Sequence, residues 1–200
     1  MSDILYTYKD NLYINLTNKC PCRCTFCIRS QQKGVGTAED LWLDRDPTVE
    51  QVIQGFEQFP LKDFQEVIFC GYGEPFCALD NMLAVSDYIH ANSSCKVRVN
   101  TNGLGDLIHK KPTAPLLQGH LDAVSISLNA PDAQRYLEVT RPSFGIGAFD
   151  AMLRFAQDCQ KYVPEVKLSI VDILSPEEIA QCQAVADRVG VPLRVRHFAQ

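Results

Sequence analysis

No stretch of this 200-residue chain is apolar enough to cross a bilayer, and its start, MSDILYTYKD, lacks the basic-then-apolar order of an export signal. The expectation is a cytoplasmic protein with no membrane partner. Positive charge is scarce: 19 Lys and Arg stand against 24 Asp and Glu, a net charge of -5. Gripping a nucleic-acid backbone takes clustered cations, so a broad nucleic-acid surface is disfavoured, whereas a local basic pocket for a small anion is not. Internal repeats, low-complexity tracts and linker-like segments are also missing. That leaves a single domain, residues 1–200, as the expected organisation.

Cysteine is what the chain has in excess. There are nine, an odd number, and four of them fall between Cys20 and Cys27. Where thiols stay reduced, such a count points to metal binding or catalysis before a disulfide framework, which would spread its cysteines more widely.

Short apolar runs alternate with longer helical patterns. Residues 4–8 and 11–17 flank Lys9 and Asp10 as a short hairpin, 4–17, that leads into a first core strand. Further strands are expected at 65–70, 96–101, 122–128, 166–173 and 192–198. Helices are expected at 48–59 behind a Thr48 cap, at 79–91, near 131–139 and 146–162, and from Ser175-Pro176 to Gly190. Strands alternating with helices imply right-handed βαβ units and a parallel sheet. Six strands are too few for an eight-fold barrel, so a doubly wound sheet and an open partial barrel both fit.

Strand phase favours the partial barrel. Leu12, Ile14 and Leu16 share one face of the first strand, against Tyr13, Asn15 and Thr17. Val97 and Val99 oppose Arg98 and Asn100; Val124, Ile126 and Leu128 oppose Ser125, Ser127 and Asn129; Leu193 and Val195 oppose Arg194 and Arg196. A sheet covered on both faces reads as continuous apolar runs, and a closed barrel fills its interior with branched residues. One apolar face and one polar face suit a (β/α)6 partial TIM barrel around a polar ligand. The competing reading is a solvated polar face in an antiparallel sheet, which the long helical connections disfavour.

The segment Cys20-Pro-Cys-Arg-Cys-Thr-Phe-Cys27 begins just past the first core strand. Read as C-x3-C-x2-C, it supplies three thiolates from Cys20, Cys24 and Cys27. A cubane takes four ligands, so three leave one iron open to a substrate or cofactor. Structural zinc competes, although it needs a fourth donor and no second cysteine pair exists. Spacing alone also lets Cys22 stand in for a ligand. The later strands end in Gly71-Tyr72-Gly73-Glu74-Pro75, Asn100-Thr101-Asn102-Gly103, Ser127-Leu128-Asn129 and Arg196-His197. Ligands of α/β folds gather at such carboxyl ends. Each element also has a local reading: a strand-to-helix turn with a capping Glu, a side-chain turn closed by Gly103, hydroxyls and amides that satisfy nearby backbone, and a structural histidine.

Taken together, these motifs resemble the radical S-adenosylmethionine (SAM) superfamily, whose signature is C-x3-C-x2-C with an aromatic, here Phe26, before the last cysteine. Asn18-Lys19, Phe69-Cys70 before the glycine turn, and Ser125 to Asp132 look most like the small TatD-associated members, which end after a minimal core. The resemblance implies a [4Fe–4S] cluster on Cys20, Cys24 and Cys27, with SAM on its open iron. It implies SAM contacts from Phe26, Gly71, Tyr72, Gly73, Glu74, Asn100, Asn102, Ser127, Asn129 and His197, with the glycine turn taking the SAM ammonium group. Tyr72 departs from the family pattern, which often has glycine there. Cys22 and Cys70 stay outside the ligand set. The implied activity is reductive cleavage of SAM to methionine and a 5′-deoxyadenosyl radical that takes hydrogen from an unidentified substrate. A small molecule or peptide is expected before RNA, with flavodoxin or ferredoxin as one-electron donor and a functional link to a TatD-type hydrolase. Glycyl-radical activation and peptide or RNA modification are alternatives within the superfamily. A zinc or electron-transfer iron–sulfur module without SAM is the alternative outside it.

Overall fold

The structure, a computed structural model, describes residues 3–172 and 174–196. The chain gathers into two compact units. One comprises Met1–Cys20, Cys27–Asn100 and Gly119–Ala123; the other comprises Pro21–Phe26, Thr101–Gln118 and Val124–Gln200.

The first unit opens with strands β1 (Leu5–Tyr8) and β2 (Asn11–Ile14), paired antiparallel with Leu5 opposite Ile14. Lys9 and Asp10 join them with φ of 48° and 64°, the left-handed pair that a two-residue type I′ hairpin turn requires. Helix α1 (Val49–Gly55) starts as expected at Thr48, whose side chain accepts from the Gln51 N–H while Gln51 returns the bond. Strand β3 (Glu66–Phe69), helix α2 (Leu79–Asn92) and strand β4 (Lys96–Thr101) follow. Both β2–β3 and β3–β4 are parallel. Val67, Ile68 and Phe69 are all fully buried, which is why both phases of β3 are apolar in sequence. Phe56 stacks on Tyr88 at 5.9 Å between α1 and α2.

The second unit holds helix α3 (Gly105–His109), strand β5 (Ala123–Ser127), helices α4 (Ala133–Thr140) and α5 (Ala148–Cys159), strand β6 (Glu165–Val171), helix α6 (Pro176–Val189) and strand β7 (Leu193–Arg196). Ser175 and Glu178 form a capping box at the start of α6, with Pro176 in the first turn, and Gly190 ends it at φ 71°. Strands β6 and β7 pair in parallel.

Among the described residues the sheet order is the chain order, β1 to β7, and β7 is not joined to β1. This is the mostly parallel α/β sheet of a partial TIM barrel, preceded by one antiparallel hairpin strand. The solvated-face alternative fails. Asn15, Thr17, Thr101, Ser125 and Ser169, all on the polar phases or strand ends, are at most 8% exposed. Strand β7 departs from the expected phase: Val195 is 46% exposed, because the last strand in the order is covered less than the inner ones.

Candidate functional site

The cysteine segment leaves β2 through residues that are themselves buried. Asn15 is fully buried, and its amide donates to the Leu41 carbonyl at 2.8 Å. Thr17 Oγ1 accepts from the Lys19 N–H at 3.0 Å, an ST-turn that bends the chain toward Cys20. Cys20, Cys24 and Cys27 are partly exposed thiols, whereas Cys22 is 3% exposed. Asn102 Nδ2 donates toward Cys22 Sγ at 3.7 Å. Cys27 leads into a 3-10 turn, Ile28–Ser30, and its carbonyl accepts from the Ser30 hydroxyl at 2.7 Å. Phe26 is half-buried.

The glycine turn after β3 packs against this segment within the first unit. A Cβ on Gly71 would stand 2.0 Å from Asn15 Oδ1; one on Gly73 would stand 2.1 Å from the Thr17 carbonyl oxygen and 2.8 Å from that of Lys19. What these glycines admit most closely is the chain itself. The Glu74 N–H donates to the Lys19 carbonyl at 2.8 Å, and the Glu74 carboxylate accepts from the Phe76 N–H at the head of a 3-10 turn. The capping reading of Glu74 is therefore realised. Tyr72 points into a small core with Tyr6, Ala38 and Leu41, lies edge-on to Trp42, and donates its hydroxyl to the Gln32 carbonyl. Its side chain is structural. Burial, with Glu74 and Cys20 close by, pushes the Cys77 thiol up to about 12 and keeps it neutral.

The remaining strand ends are formed by local turns. Asn100 accepts from Arg98 at 3.3 Å, and Arg98 grips Glu66 through two 2.9 Å bonds. Burial and the neighbouring Cys70 push Tyr13 up to about 12, with Arg98 opposing. Thr101 and Asn102 accept from the Gly103 and Leu104 N–H groups, and Gly103 takes φ 75°. After β5, Ser127 is half-buried. Asn129 is 8% exposed with φ 58°, and its Oδ1 is a buried acceptor without a hydrogen-bond partner in the protein. His197 lies outside the described residues. A surface groove of about 540 Å³ near Val163, Glu165 and Pro192 sits at the amino-terminal end of β6, the end without these motifs.

Asn15 is a site-shaping residue that composition did not single out; its only signal was a carboxamide on the polar phase of a buried strand. The residues present fit an iron–sulfur cubane and a polar cofactor. Three partly exposed thiols form an all-sulfur donor set. Among the described residues no three His, Cys, Asp or Glu side chains gather as ligands of one ion. A cubane does not ask for that, since each thiolate binds a different iron, whereas tetrahedral zinc does. The partnerless Asn129 oxygen offers an acceptor to a ligand donor.

A family model described as "Radical SAM superfamily" matches residues 14–186. Among curated proteins, the chain is 32% identical over 139 residues to a GTP 3′,8-cyclase of Corynebacterium glutamicum, covering 66% of this chain and 34% of that one. It is 24% identical over 189 residues to a GTP 3′,8-cyclase of Clostridium perfringens, covering 92% and 54%. The chain thus spans between a third and about half of the relatives it matches. Among solved structures, native anSMEcpe with bound AdoMet superposes with TM-score 0.63 at 17% identity, covering 94% of this chain and 51% of that one. A radical SAM methyltransferase from Sphaerobacter thermophilus gives 0.56 at 16%, covering 98% and 69%. At these identities the superpositions speak for the fold. Among the described residues no helix is long and apolar enough to cross a membrane.

Proposed function

The chain belongs to the radical SAM superfamily, whose cofactors are a [4Fe–4S] cluster and SAM, and on that premise we propose that it is a cytoplasmic enzyme that holds the cluster on Cys20, Cys24 and Cys27. When bound, the two cofactors supply a one-electron cleavage of SAM to methionine and a 5′-deoxyadenosyl radical that takes hydrogen from a substrate.

The chain's own residues position and shield. Cys20, Cys24 and Cys27 would hold the cluster, and with three protein ligands against the four that a cubane takes, it would stay open to SAM. Backbone carbonyls of residues 71–74 would receive the SAM ammonium; Gly71 and Gly73 let that turn pack against Asn15, Thr17 and Lys19, which sets where those carbonyls lie. Asn129 would accept a hydrogen bond from the cofactor; Asn100, Asn102, Ser127 and His197 would supply further polar contacts, and Phe26 would shield the cluster from water. The observation that carries the proposal is the donor set: three thiols in eight residues, directly past the first parallel strand.

The substrate is a small molecule or peptide, the reductant a flavodoxin or ferredoxin, and a TatD-type hydrolase a functional associate. The likeness to GTP 3′,8-cyclases adds a purine nucleotide to the small molecules to be tried. Anaerobic reconstitution should give about four irons and four sulfides per chain. Dithionite and SAM should then yield 5′-deoxyadenosine, with GTP and peptides screened for hydrogen loss. An intact cluster that releases no 5′-deoxyadenosine overturns the proposal, and one zinc per chain replaces it with the zinc module.

A further inference from the structure

The cysteine loop is tied by its backbone to the end of a helix far along the chain. The Thr25 N–H donates to the Val139 carbonyl at 2.9 Å, the Arg23 N–H to that of Thr140 at 3.0 Å, and the Ser143 N–H to that of Pro21 at 2.9 Å. The last carbonyls of a helix have no partner within it. Here Val139 and Thr140, the end of α4, find theirs in the loop that carries Cys22 and Cys24. The Leu137 carbonyl is closed by the Arg141 N–H at 3.1 Å; Arg141 turns the chain at φ 46°, and Pro142 keeps the helix from continuing.

Helix α4 is itself held at several points. Asp132 caps its first turn, accepting from the Arg135 N–H at 2.8 Å. Arg135 Nε reaches Glu178 on α6 at 2.9 Å. Tyr136, 1% exposed, packs on Phe149 of α5 at 5.6 Å between ring centres. The buried Thr140 hydroxyl closes onto the Tyr136 carbonyl at 2.7 Å. The loop therefore rests on an anchored body, while the side chains of Arg23 and Thr25 are exposed.

We propose that residues 139–143 are a positioning clamp for the cluster: they fix the backbone between Cys20 and Cys27 so that the thiolates hold the conformation the cluster needs. This rests on the functional reading above. Groups that orient metal ligands without touching the metal commonly change affinity by about 10–100-fold when lost. This clamp acts through main-chain atoms, so its donors can be removed one at a time with proline.

Ser143→Pro and Thr25→Pro each delete one donating N–H, while Ser143→Ala and Thr25→Ala keep it and remove only the side chain. After anaerobic reconstitution, the proline variants should release iron to a chelator on the order of tenfold faster than wild type. They should also change the electron paramagnetic resonance spectrum of the reduced cluster. The alanine variants should match wild type in both. Circular dichroism controls for folding, and Ser143→Pro, in an exposed turn beyond α4, decides the matter where Thr25→Pro loses the fold. Folded proline variants with wild-type release rate and spectrum overturn the clamp and leave the proposed function standing. A wild-type chain that assembles no cluster overturns both.

Discussion

Gly71 lies so close to Asn15 that a Cβ added to the glycine would stand 2.0 Å from the carboxamide oxygen. The obstacle is a side chain, held at its other end by the bond from Asn15 to the Leu41 carbonyl. Gly73 differs, because the atoms its Cβ would meet are the carbonyl oxygens of Thr17 and Lys19. Gly71→Ala should therefore destabilise by about 1–3 kcal/mol, the usual cost of overpacking, and part of that should return in the Asn15→Ala background. Gly73→Ala should show no such rescue. Urea denaturation of the two singles and the two doubles reads the contrast; equal rescue at both positions would contradict the assignment of the obstacles.

Arg98 and Glu66 form a two-pronged ion pair, both bonds 2.9 Å, with side chains 16% and 24% exposed. Removing one partner leaves the other charge partly buried and unpaired. Glu66→Ala should cost about 1–3 kcal/mol in the wild-type background. In an Arg98→Met background it should cost distinctly less, since no orphaned cation remains. A double-mutant cycle with coupling near zero would show the pair to be as weak as an ordinary surface bridge.

Features carried by local chemistry were legible in sequence. The hairpin at Lys9-Asp10, the capped helix start at Ser175-Pro176 and the Gly190 stop each need only neighbouring residues, and each stands where expected. Relationships between distant segments were not legible. Tyr72 stands inside a glycine motif yet packs with Tyr6 and Leu41, because the chain of residues 28–43 folds over it. The tie from Thr25 to Val139 uses only main-chain atoms, which carry no residue identity. The apolar phase of β7 could not show that Val195 would stay exposed, since phase gives a face and not what covers it.

Glu178 should make the fold sensitive to acid. The Ser175 backbone N–H, 3.0 Å from its carboxylate, holds its carboxyl below the ordinary 4.5; slight burial opposes, and Arg135 and the Ser175 hydroxyl add to the lowering. Folding thus favours the ionised form. That contribution is complete above 4.5 and disappears as pH falls through the lower folded value. Unfolding curves between about pH 6 and pH 2 should lose stability more steeply for wild type than for Glu178→Gln, which keeps an acceptor for the N–H. Ser175→Ala should instead cost about 1 kcal/mol with the cap lost at every pH. Parallel pH profiles for wild type and Glu178→Gln would remove this role from the carboxylate.

The cysteine segment makes a last distinction that iron analysis can test directly. Cys22 is 3% exposed and its sulfur receives the Asn102 amide at 3.7 Å, whereas Cys20, Cys24 and Cys27 are partly open. A thiol committed to the interior is poorly placed to serve a cofactor that must also reach SAM. Cys22→Ala should therefore keep about four irons per chain after reconstitution, with a cost in stability alone. Cys24→Ala should lose the cluster while the fold survives, because its side chain is only half-buried. Retention of iron by Cys24→Ala together with its loss from Cys22→Ala would move the middle ligand by two residues. The cluster would then depend on a thiol that the fold must first release from the interior.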